Sequence, residues 1–506
     1  MKYYLLISAL ITSAALADTW TVDDDGAADF DNIQSAVDAS SDGDEIIVMP
    51  GTYTGSGEYV ISMNGKAVLL RSEEGSEFTI ISGENQRTVL YCGDNETTST
   101  IISGFTITNG SGRITPMLIR GGGIFCHNSS PTIEYNAIID NTAFSSGDEF
   151  LPAFCYGGGI YATNTSLFIR SNSIIYNLSQ GWQPGFPGNF PAGSGGGIYI
   201  ENGIEIQLND NIIHNNSTIN SGSGITCEYS SGVINRNSIS YNQGAGGLFL
   251  YESDFIISEN NILGNSHGGV GLSNMINTPL VTNNIIAFNE DNGGIGCGDS
   301  NAIIEFNTVM FNNGSTFSEY GIRVSGYPVP VILNNIISDN ERGALSLNFC
   351  DSIPVVHHND INGSILTYFS PENTIGDNTW GFNANGTACD EYFNISAPPL
   401  LGDPLQFDFT LQSNSSCIDA GNPESPLDPD CSLADMGAYF FDHCSGMNGG
   451  DVIADGMIDI LDIVAMAGCI LEYNENIDSC LCHDMNDDCI LDILDIIILV
   501  DIIIGA

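Results

Sequence analysis

Apolar and polar positions recur along the middle of this chain as a short motif, Asn-x-Ile/Val-x-x-Asn. It opens at Asn136, Asn172, Asn237, Asn260, Asn284, Asn307 and Asn335, with Asp210 read as a substitute for the first Asn and a weaker ninth copy at Asn359. Successive steps are 36, 38, 27, 23, 24, 23, 28 and 24 residues, within the ~20–50-residue range of repeat architectures. Such a unit predicts one coil of a parallel β-helix, because a single coil cannot bury its apolar face and must stack on copies of itself. Neighbouring strands lie ~4.8 Å apart, so equivalent side chains form ladders. The Ile ladder is expected to fill the core. The Asn ladder suits tight turns, since Asn tolerates left-handed backbone and its amide can bond a stacked partner. The predicted fold class is an all-β solenoid.

Ahead of the repeats, a strand, a short amphipathic segment (Phe30, Ile33, Ala36, Val37) and the strand Glu45–Met49 predict an N-terminal cap helix over the open end. The steps Gly121-Gly122-Gly123-Ile124, Gly157-Gly158-Gly159-Ile160 and Gly195-Gly196-Gly197-Ile198 lack a following Lys and are read as positive-φ turns, not phosphate loops. Early coils carry insertions at about 142–156, 178–194 and 216–223, with a related loop at 110–120. Stacked in register, these form a ridge, and per-repeat insertions often mark a binding face. They hold Phe144, Phe150, Phe154, Tyr156, Trp182, Phe186, Phe190 and Arg120. Of these, Phe150, Tyr156, Trp182, Phe186 and Arg120 are the candidate substrate-binding residues, because aromatic faces stack on sugar rings. The alternative is that the aromatics pack the loops onto the coil. The β-helix is expected over 18–440, its terminal cap drawing on 408–439.

Charge narrows the partners. With 62 Asp and Glu against 10 Lys and Arg, the formal net charge is −52, which excludes nucleic acid and anionic membrane as electrostatic partners. Residues 1–17 read as a secretory signal, with Lys2, an apolar run and Ala15-Leu16-Ala17. No membrane span is expected, since the apolar stretch from Ile490 to Ile504 is broken by Asp492, Asp495 and Asp501. The expected localisation is secreted, extracellular or cell-surface. Of the 14 Cys, Cys126, Cys227 and Cys297 share one coil position and are expected as buried free thiols. Cys417 with Cys431, and the group Cys444, Cys469, Cys480, Cys482 and Cys489, are the disulfide candidates.

After a linker at 441–450, residues 451–506 contain a repeated acidic pattern. The first copy places Asp451, Asp455, Asp459 and Asp462, and the second Asp484, Asn486, Asp488, Asp492 and Asp495, at loop positions that suit Ca²⁺. Each is followed by an apolar helix. The pattern resembles a dockerin domain, with two calcium loops that carry Asp at position 12. It departs from that pattern at Ile453, which stands where an oxygen ligand is expected, and at Cys489, which replaces the turn Gly. The resemblance implies a cohesin-type scaffold partner contacted through Ile460, Leu461, Ile493 and Leu494. The alternative is that these pairs pack within the module, which then serves as an anchoring tag.

The Asn-x-Ile-x-x-Asn coils, the Gly-Gly-Ile steps, the region around Ile33–Gly51 and the closing Asp435-Met-Gly-Ala-Tyr439 resemble the pectate-lyase-like superfamily of right-handed parallel β-helix proteins. That resemblance implies the fold and a polysaccharide partner, but not an activity. The polygalacturonase motifs Asn-Thr-Asp, Gly-His-Gly and Arg-Ile-Lys are missing. Arg170 and Glu134 are expected to form a ladder ion pair. The residue before each closing Asn gives a candidate catalytic row of Asp140, Tyr176, His214 and Tyr241, beside the ridge. A His/Tyr set can supply the base and acid that a uronate lyase needs. Two functions are therefore expected: a polysaccharide lyase or glycoside hydrolase tethered through a calcium module, or a non-catalytic surface or adhesion protein using the β-helix as a binding face.

Overall fold

The structure, a computed structural model, describes residues 17–115, 118–144, 154–183, 190–191, 193–314, 320–347, 354–367, 375–471, 480 and 482–505. The secretory-signal reading of 1–17 falls almost wholly outside them, as do Phe150 and Phe186. The chain divides into two compact units, Met1–Asn220 and Ser221–Ala506.

In the first unit each coil contributes one strand to each of three parallel sheets. The coil that begins at Ile124–His127 continues through Thr132–Glu134 and Ala137–Ile139 before the next opens at Ile160–Thr163. Register is strict: Ile102, Ile133, Ile169 and Leu208 pair in sequence, as do Ile107, Ile138, Ile174 and Ile213. All eight are fully buried, each contributing roughly 1.5–3 kcal/mol of burial free energy. The helix α1 (Ile33–Ala39) buries Ile33, Ala36 and Val37. Asn32 caps its start by accepting from the Ser35 N–H. Lys66 closes its end, donating to the carbonyls of Val37, Asp38 and Ser40, where a cation suits the exposed C-terminal carbonyls.

The second unit repeats the plan. Ile234, Ile257, Val281, Ile304, Ile332 and Val356 form one inner ladder. Ile239, Ile262, Ile286, Val309, Ile337 and Ile361 form another. The expected terminal cap does not stop at the coil end. Residues 401–438 fold back over the outer face of one sheet, where Leu401, Phe409, Leu411, Met436 and Ala438 bury Ile285, Ala287, Met310 and Ile336. Ala438 N–H donates to Thr308 Oγ1, and Asn422 N–H to Asn334 Oδ1. Phe288 and Phe311, stacked with centroids 5.2 Å apart, are covered by this segment.

The Asn ladders also differ from expectation. Among the described residues there are two in each unit, and both lie inside. Asn136 bonds to Asn172, and Asn141 to Asn177, which bonds to Asn216. In the second unit one ladder runs Asn237, Asn260, Asn284, Asn307, Asn335, Asn359 and Asn394. The left-handed residue at each corner is the one before the Asn, such as Tyr135, Asp140, Ser171 and Tyr176. A buried amide saturated by backbone is worth more inside than at a turn, where water would compete for it.

Among the described residues three disulfides occur, Cys431–Cys489, Cys444–Cys482 and Cys469–Cys480. Cys126, Cys227 and Cys297 are buried and lie outside those three bridges, as expected. The expected pairing of Cys417 with Cys431 is wrong. Cys417 is a buried thiol 3.5 Å from Asp360, and Cys431 reaches the tail instead. The Cys431–Cys489 bridge thus fastens the tail to the cap, and Cys444–Cys482 ties the segment expected as a linker to the tail.

Candidate functional site

The insertions of the first unit stack as the spacing implies. Leu118–Arg120 pairs in parallel with Phe154–Tyr156, which pairs with Gly193–Ser194. Thr142–Phe144 pairs with Leu178–Gln180, which pairs with Ser217–Thr218. Ile119, Ala143 and Cys155 form a small core of their own, so the ridge is a built element. Close packing at its base explains the glycine steps: a Cβ on Gly159 would lie 2.7 Å from the Gly197 carbonyl oxygen. Trp182–Gln183 runs antiparallel to Phe190–Pro191.

One feature escaped the sequence reading. The residue after each Gly-Ile step points outward, and Tyr91, Phe125, Tyr161 and Tyr199 sit on consecutive paired strands. Their rings meet at 5.3–5.7 Å. Arg120 lays its guanidinium 5.3 Å from the Tyr161 ring centre, and Tyr156 packs against Tyr199 at 4.6 Å. Arg113 pairs with Glu58 at 3.0 Å. Phe125, Tyr161 and Tyr199 are buried, and burial pushes the Tyr161 hydroxyl well above its usual range. Locally, then, Arg120 and Tyr156 pin the ridge to the coil. Aromatic residues at the same offset from Gly123, Gly159 and Gly197 were the signal.

The candidate catalytic row is only partly assembled. Asp140 and Tyr176 occupy the same left-handed corner on adjacent coils, joined where Asp140 N–H donates to the Ile175 carbonyl. His214 does not share that corner. Ile175 pairs with His214, which makes Asn211 the ladder residue and Asn215 the corner. The Asp210 reading was one residue out of register, because Asp210 and Asn211 both fit the motif. His214 therefore ends the strand Ile212–His214, one residue before the corner. Tyr241 holds the same kind of corner in the second unit. Tyr176 is exposed at 57%, and the corner leads directly into the ridge strand Thr142–Phe144. Arg170 bonds Glu134 at 2.6 Å on the outer face, as expected. Elsewhere in this unit, a cleft of about 810 Å³ lined by Gln34, Asp38 and Tyr59 has polar groups that largely satisfy one another, as where Gln34 exchanges bonds with Ser62.

In the tail, α2 (Ile460–Leu471) and α3 (Ile493–Ile504) each follow an acidic loop. Asp462 accepts the N–H groups of Ile453 and Asp459, and Asp495 those of Met485 and Asp492. The two loops thus share one internal hydrogen-bond plan. In the second loop Asp484 lies against Asp495, and Asp488 accepts from the Asn486 side-chain amide at 2.9 Å. Such hard oxygen donors suit a divalent cation. Ile460, Leu461, Ile493 and Leu494 are all exposed. No helix among the described residues is long and apolar enough to cross a membrane.

No curated protein matches the sequence. Among solved structures, pectate lyase Pel9A is similar at 15% identity, covering 84% of this chain and 97% of that one, with a TM-score of 0.33. The A-module of the Azotobacter vinelandii mannuronan C-5 epimerase AlgE4 is similar at 17% identity, covering 66% and 92%, with a TM-score of 0.32. A mannuronic acid specific polysaccharide family 6 lyase from human gut microbiota is similar at 12% identity, covering 66% and 88%, with a TM-score of 0.27. The family model of the right handed beta helix region matches residues 158–327 and 223–380. The three parallel sheets described above are those of a parallel β-helix solenoid, and over residues 158–380 the sequence matches the right-handed form.

Proposed function

We propose that this is an exported, polysaccharide-active β-helix protein carrying a calcium-binding, dockerin-like tail. The observation that carries the reading is the ridge of stacked insertions rising beside the exposed corner of Asp140 and Tyr176. A glycan laid along that corner would meet a carboxylate and a phenol on adjacent coils, with His214 on the neighbouring strand. In a lyase reaction on a uronate, a base removes the C5 proton, the bond from C4 to the bridging oxygen breaks, and an acid returns a proton to that oxygen. Tyr176 and His214 are the candidates for those two roles. Phe150, Trp182 and Phe186 would supply stacking surfaces.

Calcium, when bound, would order the tail loops and neutralise their facing carboxylates. Asp484, Asn486, Asp488, Asp492 and Asp495 would hold it in the second loop, and Asp451, Asp455, Asp459 and Asp462 in the first. The exposed Ile-Leu pairs at the helix starts fit a cohesin-type partner.

A second reading is favoured by the register of the coils. Asn215, not His214, completes the corner row, and Arg120 is taken up in packing, which suits a non-catalytic binding face. The variants Asp140→Asn, Tyr176→Phe and His214→Gln, assayed on polyuronates and neutral glycans with Ca²⁺, separate the two. Loss of product formation supports the enzyme. Glycan binding by the unaltered protein without any product supports the binding face. Neither binding nor product on any glycan would overturn both.

A further inference from the structure

The second acidic loop lacks the glycine that makes the sharp turn in the first, yet it makes the same turn. In the first loop Gly456 has φ +84°, and its N–H donates to Asp451 Oδ2 at 2.8 Å. In the second, Cys489 has φ +61°, and its N–H donates to Asp484 Oδ2 at 2.7 Å. The sixth position thus aims its N–H at the first carboxylate of the loop in both copies. That geometry needs left-handed backbone, which glycine reaches freely and other residues reach at a cost.

What replaces glycine's freedom is a covalent tie. Cys489 is bonded to Cys431, with the Cα atoms 5.2 Å apart, and Cys431 is itself left-handed at φ +68°. Cys431 is anchored in the β-helix cap. Its N–H donates to the Asp428 carbonyl, while its neighbour Asp430 accepts from Ser432 and from the His443 N–H. The Cys444–Cys482 bridge holds the same stretch of tail two residues before Asp484.

We infer that the Cys431–Cys489 bridge does the work of the missing turn glycine, holding the second loop in its cation-binding form. The inference rests on the calcium reading above. A loop that populates its binding-competent turn only in part binds more weakly by that fraction. Serine at 489 without the bridge leaves the left-handed turn sparsely populated. Glycine at 489 restores it without any tie to the cap.

The test uses the full chain with its first loop disabled by Asp451→Ala and Asp455→Ala, titrated with Ca²⁺ alone by calorimetry. Against that background, the pair Cys431→Ser with Cys489→Ser should weaken affinity about tenfold. The pair Cys431→Ser with Cys489→Gly should stay within about twofold of the bridged protein. Hydrogen exchange of the 484–492 amides reports whether each loop is folded. Equal affinity in the bridged protein and both variants overturns the inference, as does equal weakening in both, which would assign the effect to anchoring and not to the turn. No Ca²⁺ uptake by the bridged protein overturns the calcium reading, and this inference with it.

Discussion

Asn394 gives its side-chain amide to both carboxylate oxygens of Asp390, at 3.3 and 3.0 Å, so the long asparagine ladder of the second unit ends on a charge. Asp390 also accepts from the N–H groups of Asn394, Tyr392 and Gly376 and is fully buried. A ladder of amides passes each unsatisfied donor to the next coil, and Asp390 is where the series is discharged. Asp390→Ala should cost about 3 kcal/mol or more, because several buried donors lose a charged acceptor together. Urea unfolding read at the 375–395 segment by hydrogen exchange is the measurement. A change below about 0.5 kcal/mol would count against the ladder as a stabilising device.

Inside the same ladder system, Asn289 accepts from Asn265 and donates to the Ile262 carbonyl and to Asn312. Asn289→Leu keeps the volume but leaves those groups unpaired, and the expected loss is about 2–4 kcal/mol. Asn283, one residue before the ladder residue Asn284, is the left-handed corner of its own coil. Asn283→Gly should be nearly neutral there, and thermal unfolding of the two variants side by side checks the contrast.

Burial raises the carboxyl pKa of Asp360 to about 7, and burial with neighbouring carboxylates raises Asp428 to about 7 and Asp435 to about 6. Each binds its proton more tightly folded than unfolded. Their contribution is therefore fully present below the unfolded value near 4 and is lost as pH rises through about 6 to 7. His443 acts in the same direction: burial alone would lower its pKa, but its bond to Asp430 and the facing carboxylates raise it. Stability of the C-terminal cap should fall between pH 4 and pH 7.5, and Asp360→Asn should flatten part of that slope. Melting temperature against pH for the two proteins decides it.

The ridge depends on Tyr161. Tyr161→Ala removes the ring under Arg120 and beside Tyr199 and should cost about 3–5 kcal/mol. The loss should be local, so faster amide exchange is expected in 118–120 and 154–156 while the inner Ile ladder of the same unit stays protected. Uniform loosening of all coils would show that the aromatic row supports the coil and not the ridge.

Chelation offers a check on the tail. If Ca²⁺ occupies the loops, its removal should loosen α2 and α3 and lower their melting temperature, since a ligand bound only to the folded form stabilises by mass action. Asp495→Ala should abolish the second-loop response. An identical melting profile with Ca²⁺ and with chelator would rule out stabilising occupancy.

Much of this architecture was legible because the coil repeats. Asn136, Asn172 and their successors announce the period, and Ile138 or Ile174 the buried position between them. What failed was local ambiguity and distant return. Asp210 and Asn211 both satisfied the motif, so the register slipped by one and His214 was put in a row it does not join. The flank covered by 401–438 could not be foreseen, because nothing near Phe288 names a partner more than a hundred residues away. The pairing of Cys431 was missed for the same reason. The outer aromatic row stands two residues after Gly123, Gly159 and Gly197, a repeat separate from the Asn and Ile columns that set the period.

Each corner residue sits outside a buried amide that does the holding. The protein accordingly accepts Tyr135, Asp140, Ser171, Arg236, Glu259 and Phe306 in one backbone geometry. Scaffold and exterior are written in separate residues, one column for each. A lineage could exchange its outward chemistry corner by corner, at a nearly constant backbone cost, without renegotiating the interior.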